Sequence, residues 1–299
     1  QVSPYYVTYL RILSKFVKQN SEQSTIDAFH KGISYCESAK SPTRTLLQYL
    51  QQTELLVNED ALMKTSTEAW FVRNGTYRFS FDTVPCFTFS KATLACVVRN
   101  DSACIYETKG TFYPITQTWV GTAGKVYWER AGLARDVVYA KLSDYVINTR
   151  SVSYTADSVQ LYHGGYFKKM LPGRLEERAM VDISTERATY PKFFMSKGTQ
   201  IYLNLFKDIE FFGGFNLEGA RVIGTPASDG YSRIEVKHNK KPMITFRAAE
   251  FVIRPDRFVS NRASAVIYLD NDSIFHPGMQ VRYNHANNEI VMSRGEEGL

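Results

Sequence analysis

Ala92-Thr93-Leu94-Ala95-Cys96-Val97-Val98-Arg99-Asn100-Asp101-Ser102 aligns without gaps on Ala263-Ser264-Ala265-Val266-Ile267-Tyr268-Leu269-Asp270-Asn271-Asp272-Ser273. Both stretches open on Ala and a hydroxyl residue, run apolar, and close on Asn-Asp-Ser. An apolar run of that length bounded by turn residues reads as a strand. Asp and Ser side chains accept hydrogen bonds from nearby backbone N–H groups, so the pairs Asp101-Ser102 and Asp272-Ser273 are expected to hold a corner between two strands. Tyr154 to Tyr162 is a fainter echo, in which Asp157-Ser158 is followed, as in the pair, by an aromatic within four residues. Recurrent strand–corner–strand units build solenoids and stacked sheets, although favoured turn residues also recur in unrelated turns.

Outward from this pair the strand signature continues. Ala69 to Val72 and Tyr77 to Phe81 flank Asn74-Gly75, a tight-turn dipeptide. Further short apolar runs follow down to Ile290–Met292. Leu171 to Arg187 interrupts them, with Leu171-Pro172-Gly173 as a turn and a charged helix or exposed loop after it. The expectation is a mainly β body, a β-solenoid or stacked β-sheet repeat, over residues 63–299. The 171–187 break marks a candidate division into two lobes.

Residues 1–62 read differently. Tyr6, Tyr9, Leu10, Leu13, Phe16 and Val17 follow three-and-four spacing. Ser24 is a candidate cap for a second helix, and Ser41-Pro42 pairs a capping residue with Pro at a first helical position. Short amphipathic helices bury little by themselves, so this α-helical segment is expected to pack on a neighbour.

The bulk numbers narrow the function classes. Hydrophobic residues at 44% and charged residues at 22% are globular values, and 14% aromatics favour half-buried strands. The net charge is +6, but 36 basic and 30 acidic side chains are interspersed. The densest basic spots, Lys168-Lys169 and Lys237 to Lys241, are short, so a solvated basic surface is expected in place of a nucleic-acid groove. No stretch reaches the ~20 apolar residues of a membrane helix. The chain opens on Gln1 and closes on Gly298-Leu299, which suggests a fragment of something longer. Cys36, Cys86, Cys96 and Cys104 show no C-x-x-C spacing. A Cys86–Cys96 or Cys96–Cys104 bridge across a hairpin stays open.

No catalytic set emerges. There is no G-x-S-x-G, H-E-x-x-H or G-x-G-x-x-G opening a helix. His276 and His285 with Asp270 or Asp272 offer a metal site only if a hairpin joins them. Asp270-Asn271-Asp272 lacks the downstream Gly and Glu of a calcium loop. No catalytic residue, metal or cofactor is therefore assigned. Trp119, Tyr127, Trp128 and Tyr139 are candidate ligand-contact aromatics, a platform for sugar rings, although alternation sends Trp128 and Tyr127 to opposite faces.

Trp119 to Gly132, Gly213 to Gly224, Phe251 to Arg257 and Ala156 to Val159 resemble stretches of very large, uncharacterised proteins of Bacteroidetes-type bacteria. The Asp-Ser texture is also similar to the β-repeat domains of lipopolysaccharide-transport proteins, the OstA-like class. The resemblance implies a cell-envelope or secreted setting and transfers no catalytic residue. A structural or binding β module of a larger protein follows, with glycan, lipid or neighbouring domains of the same chain as partners. A carbohydrate-active or carbohydrate-binding β-solenoid and a lipid-carrying β-groove are the alternatives.

Overall fold

The computed structural model describes residues 3–181, 184–227 and 229–294. Residues 182 and 183 of the 171–187 break lie outside the described residues. Three helices come first: α1 (Pro4–Lys18), α2 (Gln23–Glu37) and α3 (Pro42–Glu59). Then follow β1 (Ala61–Lys64), β2 (Glu68–Asp82), β3 (Val84–Val98), β4 (Asp101–Tyr113), β5 (Thr118–Thr122), β6 (Lys125–Tyr127), β7 (Val138–Leu142), β8 (Asp144–Asn148), β9 (Ser153–His163) and β10 (Leu171–Arg178). The rest are β11 (Lys192–Met195), β12 (Ile201–Phe206), β13 (Ile209–Glu218), β14 (Arg221–Thr225), β15 (Ser232–His238), β16 (Lys241–Ala248), β17 (Phe251–Arg254), β18 (Arg257–Tyr268), β19 (Ser273–Asn284) and β20 (Glu289–Ser293). The protein is mainly β with a helical start. No described helix is long and apolar enough to cross a membrane.

The chain separates into two compact units. The first comprises Gln1–Tyr127, Ala140–Val159 and Glu176–Ser184; the second comprises Trp128–Tyr139, Gln160–Leu175 and Thr185–Leu299. In the first, β1, β2, β3, β4, β5 and β8 pair antiparallel in that order. The helices pack on this sheet. Phe16 meets Phe79 edge-on at 5.3 Å and Tyr35 meets Phe81 at 5.9 Å. Ile12, Phe16, Phe29, Cys36, Tyr49, Leu50 and Val57 form the core beneath them. A fully buried Phe such as Phe29 contributes roughly 1.5–3 kcal/mol of transfer free energy. The helices sit close because Gly32 leaves room: a Cβ there would stand 2.3 Å from the Tyr49 hydroxyl.

In the second unit β13 is central. β12 and β11 pair along one side of it, β15 and β14 along the other. β16 and β17 follow, both pair with β18, and β19 and β20 complete the order. All of these registers are antiparallel. A solenoid stacks parallel coils, so the solenoid form of the expectation gives way to antiparallel meanders.

The two quoted stretches occupy matching registers. In β3–β4 the pairs Phe89↔Gly110, Ala92↔Thr108 and Leu94↔Ile105 flank two bulges. In β18–β19 the pairs Ser260↔Val281, Ala263↔Met279 and Ala265↔His276 flank two bulges. Each second-unit number exceeds its counterpart by 171, as in 260 − 89 and 281 − 110. The offset continues along the next hairpin, where Lys109↔Thr122 to Tyr113↔Thr118 correspond to Gln280↔Ser293 to Asn284↔Glu289. Gln117 and Asn288, 171 apart, both take positive φ in that turn. On the preceding strand Trp70↔Cys96 and Phe79↔Phe87 match Ile244↔Ile267 and Ile253↔Phe258.

Several local readings need correction. Asn74-Gly75 is no hairpin turn: β2 runs through it, bulged between Arg73 and Thr76, with Asn74 at positive φ. Leu171–Arg178 is strand β10 and not a turn, because Leu171, Gly173, Leu175 and Glu177 alternate inward. In α1 the buried apolar residues are Ile12 and Phe16, with Tyr5, Tyr9 and Leu13 beside them, while Tyr6, Leu10 and Val17 are exposed. All four cysteines are free thiols. Cys86 and Cys96 lie on one strand, and Cys96 pairs with Ala103 while Cys104 pairs with Ala95. Neighbouring pairs point to opposite faces, so Cys96 and Cys104 cannot bridge.

Candidate functional site

The first unit carries an open depression of about 620 Å³ on the outer face of β5, β8 and β9. Strand pairing builds it. Val120↔Val146, Gly121↔Tyr145 and Thr122↔Asp144 set β5 beside β8. β8 alternates Tyr145 and Ile147 inward with Asp144, Val146 and Asn148 outward, and β9 adds Thr155 and Asp157. The result is an aliphatic patch, Val120 and Val146, edged by two hydroxyls and two carboxylates. The Thr122 hydroxyl donates to Asp144 Oδ1 at 2.9 Å, which fixes that carboxylate.

Behind the depression lies a buried polar network. Trp119 Nε1 donates to the Tyr145 hydroxyl at 3.1 Å, which shares a 2.6 Å hydrogen bond with the Thr108 hydroxyl. Thr108 Oγ1 also reaches the Ala123 carbonyl at 2.8 Å. Burial pushes the Tyr145 phenol up to about 12, so it stays protonated. Gly110 and Gly121 admit the rings: a Cβ on Gly110 would lie 2.6 Å from the Trp119 ring, and one on Gly121 2.2 Å from the Tyr145 ring.

The candidate aromatics do not form one platform. Trp119 and Tyr127 belong to the first unit, Trp128 and Tyr139 to the second. Trp119 and Trp128 are wholly buried, so neither offers a ring face to a ligand. Half-buried Tyr127 packs against Tyr106 at 5.4 Å and half-buried Tyr139 against Tyr162 at 5.1 Å. An inward-facing strand position explains Trp119, whereas Trp128 is buried just past the end of β6, where it leads into the short 3-10 turn Glu129–Ala131.

The Asp-Ser pairs also separate. Asp101 closes a two-residue turn, Arg99-Asn100, and its Oδ2 accepts the Met180 N–H at 2.7 Å. Asp272 closes a longer one, with the Leu269 N–H donating to its carbonyl and its Oδ1 accepting the Ser273 N–H. Asp157-Ser158 is no corner: both lie inside β9, where Tyr154, Ala156, Val159 and Leu161 stay buried through them. The His276, His285, Asp270 and Asp272 grouping forms no metal site, since among the described residues no three His, Cys, Asp or Glu side chains converge. His285 instead stacks on Phe206 at 4.8 Å.

One buried ionisable group stands apart. In the second unit His163 is 5% exposed and ringed by Tyr166, Phe167 and Phe215, with centroids 4.8 to 6.2 Å away. Its Nδ1 accepts the Gly165 N–H at 3.2 Å. Burial pushes its pKa down to about 4, so it is neutral at pH 7.

Sequence reasoning had singled out Asp157, for a turn, and missed Asp144, Thr122, Val146 and Thr155. Alternation along Asp144 to Asn148 reveals which residues share a face, but nothing in the sequence shows that β8 pairs with β5. Comparison with protein-family models, with curated proteins and with solved structures returned no match.

Proposed function

We propose that the chain is a non-catalytic structural or binding module of a larger cell-envelope or secreted protein, made of two copies of one β unit. The observation that carries this is the shared register, from Phe87 and Phe258 through to Thr122 and Ser293. What the copies share supports a scaffold. Phe87 and Phe258 are buried, as are Ala92 and Ala263 at the bulges and Phe112 and Tyr283 on the next strand. No nucleophile, base or ligand set recurs at matched positions. The setting rests on the resemblance described above. The reading predicts no turnover above the buffer rate with a panel of chromogenic esters, glycosides, phosphates and peptides. Turnover that survives repurification and disappears on one substitution would overturn it.

A second reading, glycan binding, is favoured by the depression on β5, β8 and β9. Carboxylates and hydroxyls beside an aliphatic patch suit a hydroxyl-rich ligand, whose O–H groups donate to carboxylate and whose C–H face covers valine. Acidic edges favour neutral or basic glycans over anionic ones. On this reading a glycan array followed by calorimetry yields a neutral or amino-sugar ligand, and Asp144→Asn with Asp157→Asn weakens it about tenfold. Array-wide silence would remove the glycan reading. The lipid-groove alternative draws no support from the interior of the first unit, filled by Trp70, Phe87, Phe112 and Trp119.

A further inference from the structure

The first unit shows how one surface of this meander is covered, and the second unit leaves the same surface open. In the first, β5 pairs with β4 on one side and β8 on the other. The chain leaving β8 then crosses the far half of the β3–β4 hairpin. The Ser151 carbonyl accepts the Trp70 indole N–H at 2.7 Å, and the Val152 carbonyl takes the Cys96 thiol at 3.8 Å. On the face of Trp70 and Cys96, Val98 and Ala103 are buried as well.

The corresponding places in the second unit differ in two independent ways. β20 corresponds to β5, and among the described residues it pairs with β19 alone. It carries no Pro, Gly or bulge to protect that edge, and Val291 is 49% exposed. Leu269 and Ile274, which correspond to Val98 and Ala103, are 53% and 44% exposed. A bare strand edge, which β8 covers in the first unit, and two exposed apolar side chains, whose counterparts are buried there, thus lie along one hairpin.

We propose that β20 and the tip of β18–β19 together dock an extended segment of another polypeptide, added antiparallel to β20 as β8 is to β5. This rests on reading the units as two copies. Backbone N–H and C=O groups along an edge call for a peptide, with side-chain positions supplying specificity. The register names the side chains. An acid belongs opposite Ser293, as Asp144 stands opposite Thr122, with Arg294 next along the chain. Aliphatic residues belong opposite Val291 and Ile290, in the places of Val146 and Ile147. A small residue belongs opposite Met292, because Tyr145 fits only over Gly121. A base belongs opposite Glu289, in the place of Asn148. A second copy pairing β20 with β20 would set Glu289 across from Ser293 and Val291 across from itself, giving Glu289 no cation.

The probe is a dye-labelled peptide of residues 142–153 carrying Tyr145→Ala and Asn148→Lys, titrated into the full chain. The expected result is saturable binding, with amide exchange slowed at residues 289–293 and 269–275. Leu269→Lys with Ile274→Lys, both on exposed side chains, should weaken it at least about tenfold. A peptide N-methylated on alternate nitrogens, with every side chain kept, should not bind. Three results would overturn the proposal: no binding up to about 1 mM, binding indifferent to N-methylation, or β20 amides already protected in a concentration-dependent dimer. None of them would alter the turnover result on which the module reading depends, so the two fail separately.

Discussion

Trp119→Ala is expected to lower the unfolding free energy by about 4 kcal/mol, the cost of emptying a fully buried indole site. Its ring packs on Phe89 at 5.3 Å, and its N–H is one of two side-chain partners of the buried Tyr145 hydroxyl. Truncation therefore opens a cavity and removes a buried hydrogen bond, two losses that add. The backbone cannot easily collapse into the space, because Gly110 and Gly121 belong to the β4–β5 ladder that surrounds it. The second unit solves the same place with other volumes, Ile290 for Trp119 and Val281 and Met292 for the two glycines. A large ring over glycine fills the core of the first unit, whereas alanine over glycine leaves it empty. Tyr127→Ala, at a half-buried position, should cost about 1 kcal/mol or less. Urea unfolding of the three proteins decides the matter. A loss at Trp119 no larger than that at Tyr127 would mean that the indole is a surface group after all.

That contrast shows what a sequence of this kind discloses. Period-two alternation disclosed most of the strands, and the gapless pair Ala92–Ser102 and Ala263–Ser273 disclosed matched hairpins, because bulge, turn and core positions constrain residue type together. Turn chemistry was less decisive. Asn74-Gly75 has the composition of a hairpin turn, yet a bulge also needs a positive φ, which Asn74 supplies inside a continuous strand. Pro172-Gly173 reads as a break, but the Gly lies where a Cβ would strike the Phe193 ring and the Phe194 carbonyl, so it permits close strand approach. The depression was illegible for a different reason. Its residues come from three strands, and β5 finds β8 across two intervening strands, a pairing that no local pattern encodes. Asp144 and Asp157 look like any surface acids until that pairing is known.

Acidification from pH 7 to pH 4 should cost the second unit about 3 kcal/mol through His163 alone, from 1.36 kcal/mol per pH unit of displacement. An unfolded histidine titrates near 6.5, whereas burial among three aromatic rings holds His163 down to about 4. Between those values the unfolded chain binds a proton that the folded chain refuses. The stabilisation is therefore complete above the unfolded pKa and is lost as pH falls through the folded one. Geometry supports the sign: Nδ1 already accepts the Gly165 N–H, so protonation there must break that bond inside an apolar cage. His163→Leu removes the titration at some cost in packing at pH 7, and its stability should fall about 3 kcal/mol less over the same interval. Carboxylates such as Glu210, held low by hydrogen bonds from Tyr202 and Lys237, titrate in both proteins and cancel in the difference. Urea unfolding across the pH range, with an NMR titration of the imidazole, gives both quantities. A midpoint near 6.5 for His163, or parallel pH curves for the two proteins, would show that water reaches the ring and that the aromatic cage is open.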